Sequence, residues 1–177
     1  MEQQREMLCH FLAALAYRTQ KALRGAPDSY PDFRASKTSR TPHELVWHMT
    51  GVLGYARTFF HGGVWQPGKL ATFNDEVSRF HEVLESLSNL FASGAPMHGI
   101  TEKQMLQGPL ADAMTHTGQL AMLRRLAGSP VAPENFIRAN VSTENLGIDQ
   151  PAPAAPDPGW DPDMPPTPPG KGLPKDW

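Results

Sequence analysis

Residues 41–60 read TPHELVWHMTGVLGYARTFF and carry the clearest helix-start signal in the chain. Thr41 is a suitable N-cap, Pro42 fits the first helical position, and Glu44 completes a capping box. Apolar residues then recur at spacings of three and four, so they share one face of a helix with His48. The other members of this face are Leu45, Met49, Val52, Ala56, Phe59 and Phe60.

Three more segments show the same helical spacing. The first is predicted from about Glu2 to Leu23, the third from about Phe73 to Ala92, and the fourth from a break or fresh start at Gly108-Pro109 to about Ala127. A short helical piece, TEKQML, precedes that break, and a short extra helix is expected near 133–140. No segment shows sustained alternation of apolar and polar residues. The sequence therefore predicts an all-α fold, a four-helix bundle.

The C-terminal residues differ in composition from the rest of the 177-residue chain. Residues 151–177 hold 10 of the 18 prolines, and their four aspartates against two lysines account for the formal net charge of −2. We expect one helical domain over residues 1–150 and a proline-rich, polyproline-like tail over residues 151–177. Trp160 and Trp177 are candidate anchors for the tail.

The remaining body is formally neutral, with dispersed charges. This argues against nucleic acid and anionic membrane surfaces as partners. Cys9 is the only cysteine, which excludes an intrachain disulfide and suits a reducing cytoplasm. No apolar run approaches the roughly 20 residues that a membrane span needs. We therefore expect a cytoplasmic protein, with Cys9 as a small buried residue.

A second stretch, LADAMTHTGQLAMLRRLAG at residues 110–128, carries the chemistry. Asp112 and His116 are four residues apart and share a helix face. With His48 from a neighbouring helix they make a three-ligand site with open positions, suited to zinc, nickel, iron or manganese. Gln119, three residues beyond His116, is a candidate hydrogen-bond partner for a ligand or for a metal-bound water.

Simpler interpretations of the same residues remain open. A histidine on an apolar face is often a hydrogen-bonded core residue, and an Asp–His pair at this spacing can be an ordinary salt bridge. Gln119 can be an exposed polar residue. The other histidines rank lower. His43 is expected to be exposed, and His81 lies off its helix's apolar stripe. Arg124 and Arg125 are expected to interact with a helix dipole or to lie on the surface.

Two of these segments, TPHELVWHMTGVL and GPLADAMTHTGQLAMLRRLAGSP, resemble the DinB-like family of bacterial proteins, which is related to YfiT-like metal-dependent hydrolases. The resemblance covers roughly residues 1–128. It implies a four-helix bundle, often dimeric, with a divalent metal held by one histidine of the second helix and two of the fourth. His48 and His116 match that pattern. Asp112 stands where the family has the remaining histidine, so the implied site has two imidazoles and one carboxylate.

The resemblance also suggests an activity without naming catalytic residues. It implies transfer or isomerisation of a small-molecule substrate with a low-molecular-weight thiol as cofactor. One alternative is metal-dependent hydrolysis of small amides or esters. Another is a non-catalytic helical module for ligand binding or stress response, which would bind no metal.

Overall fold

The computed structural model describes residues 2–163, and all of its regular secondary-structure elements are helices. No β-strand occurs within that range, where the only β-type pairing is an isolated bridge between Glu134 and Pro156. Single 3-10 turns occupy Tyr30–Asp32 and Phe136–Arg138. The α-helices are α1 (Glu2–Leu23), α2 (Pro42–His61), α3 (Phe73–Ala92), α4 (Glu102–Met105) and α5 (Ala111–Leu126).

The predicted starts and ends of the first three helices are confirmed. At the start of α2 the Thr41 hydroxyl accepts the Glu44 N–H at 3.2 Å, and the Glu44 carboxylate accepts the Thr41 N–H at 2.9 Å. This is the capping box that the sequence predicts. At the other end Gly62 has a φ of 72°, a conformation that glycine adopts at little steric cost.

The fourth predicted helix differs in how it begins. Instead of a break at Gly108-Pro109, the chain continues from α4 through a π-helical turn, Leu106–Leu110, directly into α5. Pro109 has no N–H to donate, and its ring would crowd the carbonyl four residues earlier in a regular α-helix. A π turn inserts one extra residue, which accommodates the proline and resets the faces of α5 that carry Asp112 and His116.

The long helices surround one apolar core. Helix α1 packs against α3 and α5, and α2 packs against the same two helices. The largest side chains that are fully buried come from these helices, from α4 and from the first loop. They are Tyr17, Tyr30, Phe80, Phe91, Leu12, Leu15, Leu45, Met49, Leu53, Leu84, Leu87 and Met105. Burial of these residues supplies the hydrophobic driving force for the helical fold. None of the described helices is long and apolar enough to cross a bilayer.

Arg124 does not lie on the surface, which corrects the sequence interpretation. Its side chain is buried and donates to the carbonyls of Ala22, Leu23 and Arg24 at 3.1, 3.4 and 3.1 Å. These carbonyls lie at the C-terminus of α1, so the guanidinium caps a neighbouring helix rather than its own. Arg125 is exposed, as expected.

The segment after α5 crosses back over the helices. The short helix expected near 133–140 is only the single turn Phe136–Arg138. Backbone hydrogen bonds from Asn135 to Ala155 and from Asp157 to Pro133 join this segment to the first part of the proline-rich tail. Trp160 is half-buried, and Trp177, the other candidate anchor, lies outside the described residues.

Candidate metal centre

The side chains of His48, Asp112 and His116 meet where α2 packs against α5. His116 Nε2 lies 3.3 Å from Asp112 Oδ1, and His48 Nε2 lies 4.0 Å from Asp112 Oδ2. The two imidazole rings pack edge to face with centroids 4.7 Å apart. One ligand atom from each residue lies within 4.8 Å of the others, so this cluster could hold a metal ion.

The partners of the His116 ring leave one nitrogen available for a ligand. Its Nδ1 lies 2.9 Å from the Gln119 side-chain oxygen, an arrangement in which the imidazole N–H donates. Nε2 then carries a lone pair, and it faces the Asp112 carboxylate oxygen. Two acceptors at this distance repel unless a cation or a proton lies between them. The geometry therefore favours a positive species at the centre of the cluster.

The surroundings of His48 favour its neutral form, the form that ligates metals. Partial burial, followed by the positive charge of Arg40 and the neighbouring His116, lowers the pKa of His48, while Asp112 opposes the shift. At neutral pH the imidazole is therefore uncharged and can offer a nitrogen lone pair. The sequence placed His48 on an apolar face, and this partial burial is consistent with that position.

The three side chains would have to move closer together to bind one divalent ion, since their ligand atoms lie within 4.8 Å of one another. Two ligands that bind one ion at about 2.1 Å in tetrahedral geometry lie about 3.4 Å apart. The His116 Nε2–Asp112 Oδ1 separation of 3.3 Å is close to this value, whereas the His48 Nε2–Asp112 Oδ2 separation of 4.0 Å, which involves the other carboxylate oxygen, exceeds it by roughly half an ångström. Two neutral imidazoles and a carboxylate suit the first-row divalent metals named from the sequence.

A cleft of about 1090 Å³ opens onto two members of the cluster, His48 and Asp112. The Asp112 side chain is 48% exposed, so an ion bound there would be reached from the cleft. Apolar and aromatic side chains form most of the wall, and Arg40 supplies a positive charge. The other lining residues are Trp47, Gly51, Val52, Tyr55, Trp65, Gln66, Pro67, Gly68, Gln107, Gly108, Pro109, Ala111 and Thr115.

One wall of the cleft depends on a glycine within α2. The Trp65 indole lies so close to Gly54 that a Cβ added there would fall 2.0 Å from Trp65 Nε1. Trp65 Nε1 is itself buried and has no hydrogen-bond partner among the described residues. The Arg57 guanidinium lies 5.2 Å from the Trp65 ring, within range of a cation–π interaction. Gly54 thus lets the loop after α2 pack its tryptophan directly on the helix.

The same loop is joined to α3 by hydrogen bonds from an ion pair that lies on that helix. Arg79 contacts Glu76 at 2.6 Å and also donates to the Gly68 carbonyl at 3.0 Å. The fully buried Glu76 accepts the Leu70 N–H at 3.0 Å. Trp47 adds a bond from α2 to the Pro67 carbonyl at 3.0 Å. These contacts fix the cleft wall in place.

The other histidines lie away from the cluster. His43 is buried, with its ring centroid 5.9 Å from that of Phe73, so the expectation that it would be exposed is wrong. His43 follows the N1 proline but faces the first loop and α3 rather than solvent. His81 is also buried, between Gln20 and the Leu146 carbonyl. His61 is exposed near the end of α2.

Sequence reasoning missed Trp65 and Arg40 as cleft residues, because both lie in loops whose path is not encoded by periodicity. One signal was present: Gly51 and Gly54 within a strong helix pattern mark a helix face that another group can approach closely. Cys9 is buried, as predicted, with its thiol 3.7 Å from the Ser88 carbonyl.

Comparisons with protein-family models, with curated proteins and with solved structures found no match for this chain.

Proposed function

We propose that this protein is a divalent-metal-binding protein built on a four-helix bundle of DinB-like type, with His48, Asp112 and His116 as the ligands. The observation that carries the proposal is the convergence of these three side chains, from two helices, beside an open cleft that His48 and Asp112 line. The approach of the His116 Nε2 lone pair to the Asp112 carboxylate is compatible with it, because that pairing is relieved by a cation or a proton between the two atoms.

Each residue of the centre has a separate task in this proposal. His48 and His116 supply neutral nitrogen ligands, and Asp112 supplies a negative charge that offsets part of the ion's charge. Gln119 holds the His116 ring so that Nε2 faces the site. When bound, a divalent ion supplies a Lewis acid that lowers the pKa of a thiol or of water.

We further propose that the reaction joins or isomerises small molecules with a low-molecular-weight thiol. The cleft volume of about 1090 Å³ leaves room for small-molecule reactants beside the cluster. The aromatic side chains Trp47 and Trp65 offer flat apolar surface for an electrophile. Arg40 offers a positive charge for an anionic group of either reactant.

The test is a thiol-dependent conjugation assay on zinc-loaded protein. Glutathione or cysteine is the thiol, 1-chloro-2,4-dinitrobenzene is the electrophile, and the product is followed by absorbance. We expect turnover that requires both metal and thiol and falls at least about tenfold in His116→Ala. His61→Ala, which alters an exposed histidine outside the cluster, is the matched control and should keep full activity.

Other outcomes would select the other functions. Hydrolysis of p-nitrophenyl acetate at the same rate with and without thiol would reject the transferase proposal and favour a metal-dependent hydrolase. Failure to bind metal, with no turnover in either assay, would favour a non-catalytic ligand-binding or stress-response module.

We also propose that the protein works as a homodimer in a reducing cytoplasm. The basis for the compartment is the single buried Cys9, and the basis for the dimer is the resemblance to DinB-like proteins. Light scattering at a concentration on the order of tens of micromolar should give twice the chain mass of 19.5 kDa, and a monomer there would contradict the dimer.

A further inference from the structure

A second pocket, of about 400 Å³, lies on another face of α5 from the metal centre. It is lined by residues of α1, of α5 and of the segment 131–136 that follows α5. On α5 the metal centre uses Asp112 and His116, whereas this pocket uses Met114, Gly118 and Met122 among others. Its lining is mainly apolar, and its volume falls in the range of pockets that hold one small molecule.

Two cations line this pocket without an acidic partner. Arg18 and Lys21, one turn apart on α1, are each half-buried, and no carboxylate among the described residues lies within 4.0 Å of either one. The Arg18 guanidinium carbon lies 3.8 Å from the centroid of the Phe136 ring, and Nη1 lies 3.8 Å from the Met114 sulfur. Stacking on the ring face fixes the guanidinium while leaving N–H groups at its edge for an acceptor.

The one carboxylate in the pocket does not neutralise these cations. Glu134 turns one oxygen to the Tyr17 hydroxyl at 2.7 Å and to the Ala154 N–H at 3.0 Å. Glu134 attracts Arg18 and Lys21 from beyond 4.0 Å, and its second oxygen, Oε2, is buried without a hydrogen-bond partner among the described residues. Burial lowers the pKa of both cations, as expected for charges that have lost part of their hydration. Arg125 adds a third positive charge from the exposed side of the pocket.

Apolar side chains cover the rest of the lining. Met114 and Met122 project from α5, and Val131 and Phe136 come from the segment that follows it. Methionine adapts to ligands of different shape because its side chain is unbranched and polarizable. The pocket thus combines an apolar interior with three cations, Arg18, Lys21 and Arg125, whose charge the single carboxylate of Glu134 only partly offsets, the complement of an amphipathic anion.

We propose that this pocket binds a small carboxylic acid with an apolar body, whose carboxylate is held by Arg18 and Lys21 and whose chain lies between Met114, Met122 and Phe136. The site is independent of the metal centre. Carboxylate recognition by arginine is directional, because two parallel N–H groups can match the two oxygens. A neutral molecule of the same shape gains only the apolar contacts.

The test uses octanoate as the probe and octanamide as its neutral counterpart, with metal-free wild-type protein. Binding is measured by calorimetry, and its location by NMR of methionine methyl groups labelled with carbon-13. We expect octanoate to shift the Met114 and Met122 signals and to leave that of Met49, which is fully buried on α2, unchanged. Octanamide should bind at least about tenfold more weakly, and added salt should weaken octanoate binding.

Variants separate charge recognition from simple apolar binding. Arg18→Met keeps the volume and removes the charge, and we expect it to weaken octanoate binding at least about tenfold. Arg125→Met changes an exposed side chain, which tolerates substitution, and should weaken binding by a smaller factor. Arg138→Met, which alters an exposed cation outside the pocket lining, is the control and should bind as the wild type does. Folding of each variant is checked by circular dichroism.

Three results would overturn the proposal. The first is absence of octanoate binding up to about 10 mM. The second is equal affinity for octanoate and octanamide, which would indicate an apolar groove without carboxylate recognition. The third is that Arg18→Met and Arg125→Met, tested as separate variants, both fold and both bind octanoate with the affinity of the wild type. His48→Ala, which we expect to lose metal binding, should bind octanoate as the wild type does, because the two sites are independent.

Discussion

At the scale of single residues, His116 is the centre of the metal proposal because its two ring nitrogens have different partners. The Gln119 side-chain oxygen accepts the hydrogen bond from Nδ1–H, and an Asp112 carboxylate oxygen faces the lone pair at Nε2. The sequence allowed two interpretations of Gln119, a hydrogen-bond partner in the site and an exposed polar residue. Its side chain is exposed and also bonds the His116 ring. An exposed amide that orders a buried imidazole has a role that a simple surface residue lacks.

Removing the Gln119 amide should weaken metal binding without unfolding the protein. In Gln119→Ala the His116 ring loses the acceptor that fixes its tautomer, and we expect the affinity for Zn²⁺ to fall by about tenfold. Competition with a chromophoric chelator measures this affinity. Gln4→Ala, at an exposed position of α1, is the control. Equal affinity in both variants would show that Gln119 does not support the site.

The core of the site was predictable because its pairing is local. Asp112 and His116 share a face because they are four residues apart on one helix. The apolar spacing of α2 predicts that His48 lies on the face that packs against the other helices. Arg40 and Trp65 were not predictable in the same way. Their position in the cleft depends on how two loops cross α2, and no repeating pattern in the sequence encodes that path.

At the scale of secondary-structure elements, the contact between α2 and the following loop rests on one missing Cβ. Gly54 admits the Trp65 ring, whereas Gly51, one turn earlier on the same helix, has no atom within 4 Å of an added Cβ. The two glycines therefore make a matched pair, since both are helical and only one is in close contact.

Alanine at the two positions should have opposite effects on stability. Gly54→Ala forces Trp65 away from α2, and we expect a loss of about 1–3 kcal/mol in the free energy of unfolding. Gly51→Ala should gain about 0.5–1 kcal/mol, because alanine favours the helix and meets no obstacle. Urea unfolding followed by circular dichroism measures both. In Gly54→Ala combined with Trp65→Ala the two losses should be less than additive; strict additivity would contradict the contact.

The elements also show where sequence patterns stop being informative. Apolar spacing located the three long helices α1, α2 and α3, and an N-cap residue marked the start of α2, because both signals depend on neighbours along the chain. The proline at 109 was correctly interpreted as a disturbance. Its consequence was a π turn instead of a break, because the flanking helical residues stay packed on the core. Arg124 was misplaced because its partners belong to α1, about 100 residues away in sequence.

At the scale of the whole molecule, buried histidines couple the fold to pH. His81 joins three parts of the chain, since it contacts Gln20 of α1 at 2.9 Å and the Leu146 carbonyl at 2.5 Å from its place on α3. Burial lowers the pKa of His81 below its usual 6.5, and burial likewise lowers that of His43. Both side chains are therefore neutral in the folded protein at neutral pH.

The folded protein should lose stability as the pH falls through about 6.5, the usual pKa of histidine. The unfolded chain, whose histidines have the usual pKa of 6.5, binds more protons there than the folded chain does. We expect the free energy of unfolding of metal-free protein to be level above about pH 7 and to decline towards pH 5. Urea titrations at several pH values test this, and His81→Gln should flatten the decline. His61→Gln, at an exposed site, should leave it unchanged, and an equal decline in both variants would contradict the assignment.

The most direct test of the central claim is the metal content of the purified protein. Protein prepared without a metal-affinity tag is incubated with Zn²⁺, dialysed, and analysed by mass spectrometry for metal per chain. We expect about one ion per chain in the wild type and in His61→Ala, and less than about a tenth of an ion in His48→Ala and His116→Ala. A wild type that retains no metal after this treatment, or a His116→Ala variant that retains as much as the wild type, would contradict the account.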